Sequence, residues 1–485
     1  MVQFENFQAG GASSKFPSEL DSKARAKSVP RNSRSRRIVT FDTPVMREVA
    51  RRELPSTRAD MICARFVLSS RFIDASPSMK IVHLHGTKSP LVFIQKFASN
   101  RIRTMIFKSA ELRKEELEVI AAIAKMHKSL KYKLSTPSRW EGVLRRNAFA
   151  RAIRGSNSIE GYLVTAEDAI AAVEGDEPLE AGEETWHAVT GYRNATTYVL
   201  QLAKDSSFAF NDGFLRSLHF MMLYYDLTKH PGNWRPGPIY VRDEAKEANV
   251  YEGPPADTVS KLIAELVEYL NGSRDSEHAL VKAAMAHLNL TMIHPFSDGN
   301  GRMARCLQTL VLAIKGIVDP TFCSIEEYLG RNTQDYYDVL VEVGRGKWNP
   351  QRDTRPWIRF NLTAHYRQAG TLLRRAGLIK ELWDELEREI AKRDLPDRVI
   401  GAVADAAMGF RVRSATYRHY ADVSKVVASR DLRAAVESGL LIPSGEKRGR
   451  IYRASDEIRA IAVKIRGSEP RGIPDPFQKG VTLIS

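Results

Sequence analysis

One stretch, His294-Pro295-Phe296-Ser297-Asp298-Gly299-Asn300-Gly301-Arg302-Met303-Ala304-Arg305, holds the parts of a phosphate-handling site. His294 can act as a base near neutral pH. Asp298 offers the single carboxylate that a hard divalent cation with several waters uses. Gly299 and Gly301 bracket Asn300, and glycine lets backbone N–H groups approach an anion. Arg302 and Arg305, three residues apart, can make charge-assisted and bidentate contacts to phosphate oxygens. Taken singly these pieces are ordinary: a His-Pro turn, a glycine turn, two solvated arginines. Base, metal ligand, anion nest and paired cations within one short run are not.

The elements that must position these residues follow from the spacing. Val281 to Met292 is apolar on one face and should be a helix. Pro295 disfavours helical backbone at the residue before it, which stops that helix at His294. Pro295 to Asp298 reads as a loop plugged into the core by Phe296. A second helix is expected from Arg302, with Met303, Leu307, Leu310 and Val311 at helical spacing. A glycine turn feeding a helix N-terminus favours phosphate through its free N–H groups and dipole. Leu117, Ile120, Ile123 and Met126 mark another helix, with Ser109 as its N-cap candidate. So do Leu215, Leu218, Met222 and Leu223, and Leu262, Ile263, Leu266 and Leu270. Ile239-Tyr240-Val241 and Asn249-Val250-Tyr251 flank a charged turn and read as a β-hairpin inside a helical region. Ser156 to Glu160 reads as a helix segment closed by Gly161.

The central run matches HPFx(D/E)GNGRxxR at every specified position, and on that motif the region of about 108–375 resembles the Fic family. The resemblance implies a protein adenylyltransferase that moves AMP from ATP to a Ser, Thr or Tyr hydroxyl of a target protein. It casts His294 as the base on that hydroxyl and Asp298 as the holder of Mg2+. It casts Gly299, Asn300 and Gly301 as the cradle of the α- and β-phosphates, Arg302 as the β-phosphate partner and Arg305 as the γ-phosphate partner. Glycine at 301, where some relatives carry a bulkier residue, favours AMP transfer over phosphate transfer. Ser156-Asn157-Ser158-Ile159-Glu160-Gly161 resembles the family's inhibitory pattern, (S/T)xxxE(G/N). That implies an off state in which Glu160 occupies Arg305, with Ser156 and Gly161 completing the motif. The hairpin, with Ile239, Tyr240, Val241 and Tyr251, resembles the flap whose exposed edge docks the target by strand addition. Tyr337 resembles an adenine-side contact. Gly344 stands where some relatives carry a nucleotide-contacting asparagine.

The expected fold is mainly α: a Fic helical domain with a β-hairpin flap, and a small C-terminal winged helix. Residues 1–38 form a basic tail expected to be disordered, 39–104 carry no recognisable chemistry, 105–375 hold the Fic domain and 396–467 the winged helix-turn-helix. Short strands are expected at Phe66-Val67-Leu68 and Leu91-Val92-Phe93-Ile94, and a linker from Arg345 to Pro356. Helical periodicity begins near Met105, which raises the expectation that native translation starts there.

The formal charge is +15, from 73 Lys and Arg against 58 Asp and Glu. That excess suits an acidic partner such as nucleotide or nucleic acid. Arg430 and Arg433 on a recognition-helix position, with Lys447, Arg448 and Arg450 on the wing, make DNA a candidate partner. Further copies of the chain are another. The alternative reading is therefore a DNA-binding regulator whose Fic domain senses nucleotide, and a third is a toxin-like module. Cys63, Cys306 and Cys323 form neither a disulfide framework nor a metal cluster. No secretory signal and no membrane span are apparent, so the cytoplasm is the expected compartment.

Overall fold

In a computed structural model the described residues are 4–5, 105–134, 139–243, 247–272, 277–316, 322, 324–446, 450–467 and 472–484. The chain divides into two units, Met1–Gln8 with Ile102–Ser485, and Ala9–Arg101. All described residues belong to the first. The strands expected near 66–68 and 91–94, and Cys63, Cys323, Lys447 and Arg448, lie outside the described residues.

The fold is mainly α. Helices α1 (Lys114–Lys133), α2 (Arg139–Ile159), α3 (Ala166–Glu174), α4 (Glu183–Leu202) and α5 (Asp212–Leu223) precede the hairpin β2–β3 (Tyr240–Asp243, Ala248–Glu252). Helices α6 (Val259–Asn271), α7 (Ala279–Ile293), α8 (Asn300–Ile314), α9 (Glu326–Arg331) and α10 (Thr333–Gly344) follow. The α7–α8 pair is the centre of the first core. Leu288, Leu290, Ile293, Met303, Leu307 and Leu310 are all fully buried, which is why α7 reads as apolar on nearly every face.

Helix α1 starts later than its sequence suggests. Its N-cap is Arg113 rather than Ser109, because the Glu116 carboxylate reaches back to accept the Arg113 N–H at 2.6 Å. The preceding segment is held instead by Asn289, which exchanges two hydrogen bonds with the Phe107 backbone.

The hairpin is not free at its edges. Phe4–Glu5 forms a short strand, β1, antiparallel to β2, with Phe4 opposite Val241 and Glu5 opposite Tyr240. Those two residues fall in the segment expected to be disordered. On the other side Gly346–Lys347 forms β4, parallel to β3, within the stretch expected to be a plain linker. The order is β1-β2-β3-β4.

Helix α11 (Arg355–Lys392) runs unbroken through position 375, so no chain break separates the two expected domains. Its first half packs Trp357, Ile358 and Leu362 into the first core. Its second half packs Leu382, Trp383 and Leu386 into a second core. That core is completed by α12 (Ile400–Ala407), β5 (Val412–Arg413), α13 (Ser414–Ala421), α14 (Lys425–Glu437), the β6–β7 hairpin (Leu441–Ser444, Ile451–Ala454) and α15 (Asp456–Arg466). The sheet order is β5-β7-β6, all antiparallel. Trp140, Val143 and Leu144 of α2 insert into this second core, so α2 spans both.

Candidate active site

Helix α7 stops where the sequence says it must. His294 caps it in the left-handed region, φ 51°, an uncommon conformation for a non-glycine residue. Arg235 holds that turn in place. Its Nε donates to the His294 carbonyl at 2.8 Å and its backbone N–H to the Pro295 carbonyl at 2.9 Å. Its other nitrogens donate to Gly237 and Pro254, at the base of the hairpin. Tyr251 adds a second tie, donating its hydroxyl to the Met292 carbonyl at 2.8 Å.

The His294 side chain is buried, and its Nδ1 lies 3.1 Å from the Thr291 carbonyl. That contact assigns the proton to Nδ1 and makes Nε2 the basic nitrogen. Burial pushes its pKa down to about 4, so the ring is neutral at physiological pH.

The loop after it is locked from within. The Asn300 carboxamide accepts from the Phe296 N–H at 2.9 Å and donates to the Phe296 carbonyl at 2.8 Å. That side chain is thus spent on the loop, which leaves backbone N–H groups to face an anion. Phe296 is fully buried and stacks on His219, with centroids 3.7 Å apart. His219 in turn contacts the Asp298 carbonyl at 2.9 Å. Gly299 has φ 76° and caps α8. A side chain there would also strike Leu223 at 2.7 Å. The helix begins at Asn300, not Arg302, so Gly301 is helical and needs no positive φ. Its reason for being glycine is different: a Cβ at 301 would stand 2.3 Å from Glu160 Oε1.

Asp298 accepts the Gly299 N–H and pairs with Lys229 at 3.1 Å. Burial opposes its charge, yet Arg302 and Lys229 hold its carboxyl below the usual range. Lys229 also donates to the Tyr162 hydroxyl at 3.0 Å. Among the described residues no group of three or more His, Cys, Asp or Glu is gathered as a metal cage.

Arg302 is wholly buried, and none of its three guanidinium nitrogens has a hydrogen-bond partner among the described residues. It lies over the Tyr162 ring at 5.1 Å. Burial works against its charge, while Asp298 and weaker neighbours keep its pKa above the ordinary value. A buried cation with no hydrogen bonds among the described residues is costly, and such a group can receive an anion.

Arg305 is equally buried, and two of its three nitrogens are bonded from α2. Its Nε donates to Ser156 Oγ at 2.7 Å, and one terminal nitrogen donates to the Ser156 carbonyl at 3.0 Å and to Glu160 Oε1 at 2.7 Å. Glu160 stands just past the end of α2, where Gly161, φ 85°, turns the chain. Tyr337 donates its hydroxyl to the Ile159 carbonyl at 3.0 Å and so touches the same helix end.

Most of the residues singled out in the sequence thus gather around Arg302 and Arg305. The hairpin residues divide. Ile239 and Tyr251 are buried and face the core, so their side chains anchor the hairpin rather than present it. Tyr240 and Val241 sit on β2, whose outer edge β1 occupies. The expected open docking edge is therefore covered here. Gly344 lies against Tyr251, where a Cβ would come within 3.0 Å of its ring.

Sequence reasoning missed Lys229, His219, Arg235 and Glu326. The first three lie 59 to 79 residues upstream of the motif residues they touch, outside any short motif. Only the arginine beside Pro236-Gly237-Pro238 carried a local signal. Glu326 is buried, accepts from the Tyr192 hydroxyl, and has a pKa raised by burial in spite of nearby Arg305.

Residues 209–312 match the family described as Fic/DOC. The chain is 30% identical over 226 residues to the protein adenylyltransferase Fic of Nematostella vectensis, covering 44% of this chain and 46% of that one. It is 31% identical over 100 residues to a probable protein adenylyltransferase of Aquifex aeolicus, covering 20% of this chain and 31% of that one. The matched part is thus less than half the length of either relative. A Fic family protein from Desulfovibrio desulfuricans, known from a crystal structure, is 23% identical with a TM-score of 0.45, covering 72% of this chain and 99% of that one. Residues 209–312 are thus similar to the Fic/DOC family.

Proposed function

We propose that this protein transfers AMP from ATP to a Ser, Thr or Tyr hydroxyl of a target protein, and that Glu160 holds the resting enzyme off. The observation that carries the reading is the contrast between two buried arginines on α8. Arg302 has no hydrogen-bond partner among the described residues, whereas Nε and one terminal nitrogen of Arg305 are taken by Ser156 and Glu160.

Arg302 and the backbone N–H groups at the start of α8 bind the inner phosphates. Arg305 takes the γ-phosphate once Glu160 leaves. His294 Nε2 accepts the proton as the target oxygen bonds to the α-phosphorus, and the bond to the β-phosphate oxygen breaks to release pyrophosphate. General base catalysis of this kind is worth about 10²–10⁴ in rate. The fixed cations stabilise charge on the leaving group. Asp298 would hold Mg2+ as a single carboxylate, and the ion would supply charge that neutralises the phosphates. Lys229 must then give up the Asp298 oxygen it holds. Tyr337 lies on the adenine side. Glycine at 301 fits AMP transfer rather than phosphate transfer.

The test is labelled ATP with Mg2+ and a lysate. Glu160→Gly is expected to label protein, and adding His294→Ala to remove the label. No label from Glu160→Gly in a folded protein would overturn the reading.

A second reading rests on α14. Its Ser424 side chain caps the helix, and Arg430 and Arg433 are exposed. The order helix, strand, helix, helix, hairpin supports a winged helix across 396–467, and these cations suit duplex phosphates. Salt-sensitive binding to random duplex would support it, and no binding at low salt would remove it. No helix among the described residues is long and apolar enough to cross a membrane. A cytoplasmic setting and self-association belong with these proposals.

A further inference from the structure

A cavity of about 650 Å³ opens against α2, lined also by α9, by the segment 163–169 and by the turn 408–410. That volume is typical of small-molecule sites. Residues 151, 154, 155 and 158 of α2 line it. At 100° per residue they share one helix face, and Ser156 and Glu160 lie on the other. The cavity is thus behind the helix that fills Arg305.

Its wall carries three arginines, Arg151, Arg154 and Arg331, and one carboxylate, Glu327. That carboxylate is already occupied. Arg375 grips both its oxygens at 2.6 and 2.7 Å, and Arg331 lies at 2.8 Å. Arg151 reaches Glu327 only at 3.9 Å. Arg154 donates to the Val164 carbonyl, a neutral group. Burial pushes the Arg151 pKa down to about 10, and Arg375, Arg331 and Arg154 add to the shift. The set holds more positive charge than its own anions can balance. The Asn147 carboxamide oxygen on the same wall is buried with no hydrogen-bond partner among the described residues. The lining also includes the apolar residues Val164, Ala169, Met408 and Phe410. Arg151 lies 5.7 Å over the Phe410 ring.

We infer that this cavity binds a small molecule with an anionic headgroup, of the phosphate or sulfate type, on a flat apolar body. The headgroup meets Arg151, Arg154 and Arg331, and the body lies against Phe410 and Val164. Such a ligand bridges α2 and α9. These helices already touch backbone to backbone, since a Cβ at Gly155 would stand 2.3 Å from the Glu326 carbonyl. The bridge fits the arrangement in which Glu160 sits on Arg305. A ligand that prefers one arrangement stabilises it. Occupancy therefore reinforces the block. This last step rests on the proposed AMP transfer; binding does not.

The probe is 1-naphthyl phosphate, with neutral 1-naphthol as comparator, titrated calorimetrically into the full chain without ATP. Binding is expected to weaken about tenfold or more in Arg151→Gln/Arg154→Gln, with circular dichroism verifying the fold, and to survive Arg302→Ala. Absence of binding, equal binding of 1-naphthol, or loss in Arg302→Ala alone overturns the site. In a transfer assay the probe is expected to slow the wild type and leave Glu160→Gly unaffected. Equal slowing of both would mean competition with ATP and overturns the coupling.

Discussion

Replacing Gly301 by alanine isolates the proposed Glu160 block with a single methyl group. A Cβ at 301 would lie 2.3 Å from Glu160 Oε1, 3.0 Å from an Arg305 terminal nitrogen and 3.3 Å from Glu160 Cδ. Ordinary carbon–oxygen contact needs about 1 Å more. The backbone has no reason to move, because 301 is helical and alanine is the better helix former. The Glu160 carboxylate, at the free end of a flexible side chain, is what gives way. Moved by about 1 Å, its 2.7 Å bond to Arg305 passes beyond hydrogen-bonding range. A charge-assisted bond is worth about 1.5–3 kcal/mol, so the blocked state loses roughly 10- to 150-fold in relative population. Initial rates of label transfer from α-labelled ATP should therefore rise in Gly301→Ala by an amount in that range. Glu160→Gly should rise as well, and the double variant should match Glu160→Gly alone, because both changes remove one interaction. If Gly301→Ala instead lowers transfer in the Glu160→Gly background, the methyl group obstructs ATP rather than Glu160, and the reasoning fails. A switch to label from γ-labelled ATP would show that residue size at 301 reorients the nucleotide.

Three further outcomes are expected. His294 has its pKa lowered by burial to about 4, so the base stays neutral well below an ordinary histidine's range; transfer by Glu160→Gly should hold level from about pH 8 to about pH 5.5, and a half-loss near pH 6.5 would contradict the assignment. His127, His219, His287, His294 and His365 all have pKa values lowered by burial, to between about 3 and about 4. Their unfolded forms bind protons first, so the stability they contribute is complete above about pH 6.5 and is lost as pH falls towards about 4, at up to about 1.4 kcal/mol per pH unit for each; a thermal midpoint unchanged between about pH 7 and about pH 5 would refute this. Removing residues 1–8 uncovers the β2 edge that Phe4–Glu5 holds and is expected to lower the KM for a protein target in the Glu160→Gly background without changing the KM for ATP; an unchanged target KM would mean the edge is not where targets dock.

The run from His294 to Arg305 was legible as a candidate phosphate site because its parts are consecutive. His294, Asp298, Gly299, Arg302 and Arg305 sit on one helix stop, one loop and one helix start. Local rules govern all three: proline just after a stop, glycine at a cap, arginines one turn apart. The same rules misplaced detail where a distant group intervened. Glu116 moved the start of α1 to Arg113, and Asn300 was drawn into the helix and tied to Phe296 rather than left beside a phosphate.

The sequence by itself pointed to which residues could meet phosphates, and showed that residues 156–161 resemble an inhibitory pattern. Only the tertiary structure decided who holds whom. It brought Glu160 and Ser156 across about 150 positions onto Arg305 while leaving Arg302 without a hydrogen bond. It set Lys229 against Asp298, clamped His294 through Arg235, and covered the hairpin edge with the chain's own start. It also gave Gly301 its reason, a carboxylate approaching from another helix. Motifs record contiguous chemistry. Pairings between distant helices depend on how the cores pack, and no spacing in the chain encodes them.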